Sequence, residues 1–465
     1  MMSNHHLKGK RKNMRLFLTY MALGLYAFSC TSPSGDSTQA INQRTEQSDD
    51  SLLSLVQKQT FQYFWEGAEP NSGLARERIH LDGDYPENDK NVVTIGGSGF
   101  GLMAILVGIH NEYISTEAGR NHIERSLTFL DSIQRFQGAW SHWYFGDTGK
   151  PKAFSKNDDG GDIVETAFMA QALICIREFY KDGSEADKKV AEMADKLWKG
   201  INWDFYRNGK DVLYWHWSPN HGWGMNHAIQ GFDECMIAYI LAASSPTHPI
   251  PASTYHEGWA RGGAIRSTAE KYGIPTIVKH NAKEGEVGPL FWAHYSFLGL
   301  NPKGLSDQYA NYEDVVTNHT KINIAYAEQN PKQFKGYGAD KGWGWTASYS
   351  TNGYNAHHPD NDPTGVISPT AALSSMPYTP KESLAFMRYL TDSIGEKVWG
   401  RYGFYDAYSE SENWFPQRYL AIDQGPIVVM IQNYKDAFIW NLFMQAPDVQ
   451  AGLRKLGFQS TYLKN

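Results

Sequence analysis

Cysteine is nearly absent from the 465 residues, with three in all, at positions 30, 175 and 235. That excludes the disulfide framework of small exported domains and any paired-cysteine zinc site. Charge is modest, 20% of residues, and the balance is acidic at −7. The basic residues ahead of Cys30 (Lys8, Lys10, Arg11, Lys12, Arg15) stand in a segment without an acid, so the remainder is more acidic still. Such a chain repels phosphate backbones and argues against a nucleic-acid partner. Apolar runs are short: the longest, Leu16 to Phe28, falls well below the roughly 20 residues a membrane-spanning helix needs. No 34-residue repeat, no G-x-S-x-G elbow and no H-E-x-x-H helix occurs. The stretch Gly96-Gly97-Ser98-Gly99-Phe100-Gly101 resembles a phosphate loop, but Leu102 stands where the last glycine is needed, so it reads as a tight start to a helix. His216, His221 and His357-His358 lack metal-ligand spacing, and no metal or cofactor is expected.

Aromatic residues, in contrast, make up 14% of the chain, which excludes wholesale disorder. The basic flank and short apolar run mark residues 1–29 as a signal peptide, although Met14 could equally be the first residue. The run ends Ala27-Phe28-Ser29-Cys30, which resembles a bacterial lipobox with Ala27 where Leu is usual. Lipidation of Cys30 is therefore expected, an ordinary signal peptide being the alternative. Thr31 to Asp50 has no aromatic and cannot bury enough apolar surface to order itself, so residues 30–50 read as a lipidated tether to the membrane. The localisation expected is the bacterial cell envelope, periplasmic or membrane-anchored.

Residues 51–465 form the folded part, in which apolar residues recur mostly at three-and-four spacing. The pattern predicts helices over 51–65, 99–113, 117–136, 162–180, 185–199, 232–243, 255–271, 289–297, 307–329, 380–394, 427–443 and 447–456. Long Gly- and aromatic-rich loops join them, and loops of that length in a compact domain are usually functional. Helices in pairs with decorated loops over one mouth predict an all-α fold, an (α/α)6 toroid. Cys175 and Cys235 lie in apolar helical stretches and read as buried free thiols.

The loops hold Trp140, Trp143, Trp215, Trp217, Trp223, Trp343, Trp345, Tyr349, Tyr354 and Trp414. Flat apolar faces mixed with carboxylates suit a sugar, whose C–H face packs on a ring while its hydroxyls need acceptors. Trp217, Trp343 and Trp345 are the aromatic binding candidates. Glycoside hydrolysis usually takes two carboxyl groups. Three acidic groups qualify: Asp158, Asp162 and Glu165, which share one face if helix runs through them; Asp233-Glu234, opening an apolar helix; and Asp423, in a loop before the helix at Ile427. An acid at each place is also what a helix start attracts, by capping free N–H groups and complementing the macrodipole.

Six ordered segments carry a family resemblance: Gly231-Phe232-Asp233-Glu234, Ser245-Pro246-Thr247-His248-Pro249, Gly288-Pro289-Leu290-Phe291, Gly342-Trp343-Gly344-Trp345-Thr346-Ala347-Ser348, Tyr402-Gly403-Phe404-Tyr405-Asp406-Ala407 and Ile422-Asp423-Gln424-Gly425-Pro426. Over about Ser51 to Leu456 the chain resembles the glucoamylase-like bacterial proteins of glycoside hydrolase family 144. The resemblance implies an (α/α)6 barrel that cleaves β-1,2-glucan or its oligosaccharides by inversion, as an endo enzyme or as an exo enzyme releasing sophorose. It implies Glu234 as general acid, Asp423 as base, and Asp158, Asp162 and Glu165 as substrate-holding acids. Phe232-Asp233 stands where the resemblance leads one to expect Tyr-Asn. A glycan-binding surface lipoprotein without catalysis, and a hydrolase of another glucan, are the alternatives. If Cys30 carries the lipid, Cys30→Ser moves the protein from the membrane to the soluble fraction; unchanged partition after that substitution counts against lipidation.

Overall fold

The computed structural model describes residues 48–86 and 89–463. The leader, Cys30 and nearly all of the tether lie outside them. Among the described residues, no helix is long and apolar enough to cross a membrane.

The helices α1 (Asp49–Trp65), α2 (Ile95–His110), α3 (Thr116–Ser132), α4 (Ile163–Tyr180), α5 (Glu185–Lys199), α6 (Met236–Ser244), α7 (Tyr312–Gln329), α8 (Pro369–Leu373), α9 (Pro380–Asp392), α10 (Ala421–Asp436), α11 (Phe438–Met444) and α12 (Pro447–Lys455) follow in chain order. They divide by composition. Helix α2 buries every residue from Ile95 to Ile109, α4 every residue from Ile163 to Ile176, and α6 all of its length. Helices apolar on all sides belong inside, whereas α3, α5, α7 and α9 bury only a stripe and face water with the rest. The inner segments are α2, α4, α6, the short 3₁₀ turns over Leu290–Phe297, α8 and α10. They alternate along the chain with outer segments α1, α3, α5, the irregular turns over 254–263, α7 and α9. Helix α2 packs between α4 and α10, α4 meets α6, and α8 meets α10. His294 Nε2 lies 2.9 Å from Ser375 Oγ, and the Tyr378 hydroxyl donates to the Ala293 carbonyl, which closes the ring. The fold is an (α/α)6 toroid.

Close approach of the inner helices rests on glycine. A Cβ on Gly99 would fall 2.6 Å from the Phe168 carbonyl oxygen and 2.7 Å from Met169 Cα, both on α4. One on Gly97 would fall 2.8 Å from Ala421 Cβ at the start of α10. The glycine-rich stretch read as a helix start therefore fills the first turns of α2.

Four sequence expectations are corrected. The segment 255–271 is not one helix: a π turn over Thr254–Trp259 and a 3₁₀ turn over Arg261–Gly263 are broken at Gly262 and Gly263, whose φ values of +60° and +96° no regular right-handed helix admits. Helix α10 starts at Ala421 and carries Pro426 in its second turn, so Asp423 sits in the first turn and not in a loop. Ala437, at φ +60°, separates α11 from it. Glu234 precedes α6 by two residues and does not open it. Cys175 and Cys235 are buried and unpaired.

Gly99→Ala is expected to cost about 1 to 3 kcal/mol, because the clash is with backbone that cannot rotate away. Denaturant unfolding checks this; an unchanged midpoint would contradict the close packing.

Candidate active site

The inner helix starts converge on one mouth. Glu165, in the first turn of α4, accepts a hydrogen bond at Oε2 from the Gly96 amide of α2 (2.7 Å). Thr370, at the start of α8, donates to the backbone carbonyl of Asp423 in α10. The Ala421 amide donates to the Glu77 carbonyl. Between these starts lies a cavity of about 360 Å³, whose wall includes Glu77, Arg78, His142, Glu165, Glu234 and Tyr295.

The acid trio meets here, though not on one helix face. Asp158 lies in the loop, Asp162 is the N-cap of α4, and Glu165 is inside its first turn. Asp162 Oδ1 accepts from the Val164 and Glu165 amides (2.9 Å each), and Oδ2 from the Trp215 indole N–H (3.0 Å). What joins the three is His142, which the sequence reading missed. Its Nδ1 lies 3.2 Å from Asp162 Oδ2 and 3.6 Å from Asp158 Oδ2, and its Nε2 lies 3.7 Å from Glu165 Oε1. Burial alone would lower the basicity of this ring, but the charge of Glu165 and the contacts with Asp158 and Asp162 outweigh it and hold His142 well above the ordinary value. His142 is thus an imidazolium among carboxylates. Phe154, 47% exposed, stacks on it at 4.2 Å.

The neighbours of each acid decide how it responds to burial. Burial raises Asp162, but the hydrogen bond and charge of His142, and then the Glu165 amide, outweigh it and leave Asp162 below its ordinary value. Glu165 has fewer donors, and burial prevails, pushing it up to about 7 against the pull of His142. Glu234 is raised well above the usual range by burial and then by the neighbouring Asp233 carboxyl. Asp233 accepts from the Cys235 amide (2.8 Å), and burial pushes it up to about 7. Asp423, expected to stand ionised by itself, is instead raised, by burial first and by the Asp406 carboxyl second. The Tyr295 hydroxyl lies 3.4 Å from its Oδ1.

Glu165 and Glu234 line the cavity; Asp423 stands behind Ile422 and Tyr295, which do. Asp158 and Asp162 sit one layer back, behind His142. The tryptophan expectations need correction. Trp343 and Trp345 are 0% exposed: Trp343 packs on Phe386, and Trp345 lies edge-on to Tyr326 and Tyr337, so both are core. Trp217 packs against Phe205 beside the cavity and is not part of its wall. The aromatic faces at the mouth are Trp143, Phe154, Trp215, Phe291 and Tyr354, the last 57% exposed on the hairpin Ala347–Ser350/Gly353–Ala356. Phe232, at the departure from the family pattern, is buried against His280. Besides His142, sequence reasoning overlooked Glu77, Arg78 and Asp406. His142 stands between the noted Trp140 and Trp143, but a loop composition that suits a sugar picks out no single histidine.

Among the described residues, two groups have the donor types of a cation site, His142–Asp158–Asp162 and Asp233–Glu234–Cys235. In the first, the neighbouring carboxyls favour the protonated His142 ring, and a metal would have to displace that proton. In the second, burial holds the Cys235 thiol well above its usual value, which disfavours the thiolate a metal needs.

Because its folded value is raised, the stability His142 contributes is full below about pH 6.5 and is lost as pH rises through the folded value. NMR of labelled histidine should find His142 protonated at pH 7.5; a neutral ring at that pH would contradict the cluster.

The Glycoamylase family, glucoamylase-like by description, matches residues 226–447. An endo-β-1,2-glucanase from Chitinophaga pinensis, solved in complex with sophorotriose and glucose, is 57% identical, covers 90% of this chain and 100% of its own, and superposes with a TM-score of 0.88. An exo β-1,2-glucooligosaccharide sophorohydrolase from Parabacteroides distasonis is 40% identical over 425 residues, which are 88% of this chain; the chain spans 58% of that protein's length. An endo-β-1,2-glucanase from Talaromyces funiculosus shares the fold, at 10% identity and a TM-score of 0.62. With more than half its residues identical to a full-length relative, the chain belongs to the glucoamylase-like proteins of glycoside hydrolase family 144.

Proposed function

We propose that this protein is an inverting glycoside hydrolase that cleaves β-1,2-glucan or its oligosaccharides, with Glu234 as general acid and Asp423 as base. The observation that carries the reading is Glu234: a carboxyl in the wall of an aromatic-lined cavity, kept protonated by burial and by Asp233. A protonated acid there can give its proton to the departing glycosidic oxygen, while the Asp423 carboxylate takes a proton from the water that attacks the anomeric carbon. Glu165 and His142 in the cavity wall meet sugar hydroxyls, Asp158 and Asp162 hold His142 from behind, and Trp143, Phe154 and Tyr354 offer ring faces to the sugar C–H surface. The full-length match to an endo-acting relative supports cleavage within the chain. The leader pattern and Cys30 support a place at the bacterial envelope, with the catalytic domain tethered by lipid.

Incubation of the domain with β-1,2-glucan, starch and laminarin should degrade the first, with a mixture of oligosaccharides early in the reaction. Sophorose as sole early product would assign exo action, and binding without products would restore the glycan-binding alternative. Inversion requires that NMR show the α-anomer first from a β-linked substrate.

Glu234→Gln and Asp423→Asn should each lower kcat by about 10² to 10⁴ with the fold intact. A raised acid must lose its proton before activity fails, so the rate should persist to neutral pH and fall as pH rises through the Glu234 value. Near wild-type turnover by Glu234→Gln would remove Glu234 from the role and leave Glu165 as the next acid.

A further inference from the structure

Asp406 has no role in the reading above, yet it is the most closely engaged neighbour of Asp423. Both side chains are 2% exposed. Each has one oxygen engaged by a donor on another part of the fold: Asp406 Oδ2 accepts from the Tyr349 amide (2.9 Å), and Asp423 Oδ1 faces the Tyr295 hydroxyl (3.4 Å). The remaining oxygens, Asp406 Oδ1 and Asp423 Oδ2, are buried with no donor among the described residues. The two carboxyls lie within hydrogen-bond reach of one another. Two carboxylates are both acceptors, so such a contact holds only with a proton between them, and two adjacent charges in a buried site cannot both persist.

Among the described residues, the arginines on this side of the cavity are already paired. Glu77 adds a like charge on this side of the cavity. Arg78 is committed to Glu77 and Asp89, and Arg418, on the strand that leads into α10, to Asp82 and Asp84. Tyr295 and Tyr349 are raised by burial and stay neutral. Glu165 faces the same cavity from α4.

We infer that Asp406 and Asp423 act as one unit, in which the facing oxygens share a single proton and Asp406 positions the Asp423 carboxyl for its work as base. The inference rests on the base reading of Asp423. In the resting enzyme the pair has one proton and one negative charge. As the water–carbon bond forms and the glycosidic bond breaks, the leaving oxygen takes the Glu234 proton and the pair takes the water proton, becoming neutral. The pair then releases that proton to solvent, and Glu234 is reprotonated. Coupled groups of this kind titrate as a pair, so the acid-side limb of the pH profile belongs to both residues.

Asp406→Asn is the test, because an amide oxygen still accepts from the Tyr349 amide while its N–H₂ donates to Asp423 and leaves it ionised. The acid-side limb of kcat/KM should move down by about one pH unit or more, with kcat at the optimum reduced about tenfold because the base is weaker. Infrared difference spectra at neutral pH should show a protonated-carboxyl band lost in both Asp406→Asn and Asp423→Asn. A limb that stays in place in folded Asp406→Asn, or the absence of a band common to both variants, overturns the proposal. If Asp423→Asn remains active while both variants lose the band, the pairing stands and the base assignment falls.

Discussion

The contact between α2 and its two neighbours governs the rest of the molecule. Where Gly99 lies on Phe168 and Met169, backbone meets backbone with no side chain between, and Gly97 lies against the Ala421 methyl. That approach brings the first turns of α2, α4 and α10 to one point, and with them the Gly96 amide, the Glu165 carboxylate and Asp423. A methyl group at either glycine would push these starts apart. Interiors are packed too densely to absorb such a shift elsewhere.

Convergence of helix starts has an electrostatic consequence. Each start offers unpaired N–H groups and a positive dipole end, worth about 0.3 to 1 kcal/mol to a nearby carboxylate and up to about 2 when partly buried. Taking a carboxylate out of water costs several kcal/mol, so dipoles alone cannot keep these acids ionised. The outcome varies with what else is supplied. Asp162 has three N–H donors and His142 and remains a carboxylate; Glu234 has a like-charged neighbour and becomes an acid. The cavity wall and the layer behind it thereby hold carboxyl groups of opposite protonation, the condition general acid catalysis needs near neutral pH.

Helices announced by period were readable to within a few residues, because burial of one face leaves its mark in spacing: Glu185–Lys199 appears as predicted, and Ile163–Tyr180 starts one residue late. Segments shaped by contacts were not. The spacing predicted a helix from Ile427, yet α10 begins six residues earlier, where the Ala421 amide is held by the Glu77 carbonyl. Trp343 and Trp345 carried the composition of a binding loop but turned inward, since an indole buries more apolar surface than any other side chain and this one had a core to reach.

The sequence by itself determined the toroid, through paired helices joined by long decorated loops, and it named Glu165, Glu234 and Asp423, because acids at or just before an apolar helix are visible locally. It also held the family pattern, in motifs that any reader of the chain can line up. Only the tertiary structure decided that His142 binds three carboxylates, that Asp406 faces Asp423 across a gap of 16 positions, and that Glu77 and Arg78 reach the same cavity. These residues come from separate loops with no spacing rule between them. Their meeting follows from the ring's closure, and a charge or a shared proton exists only once the distance is set.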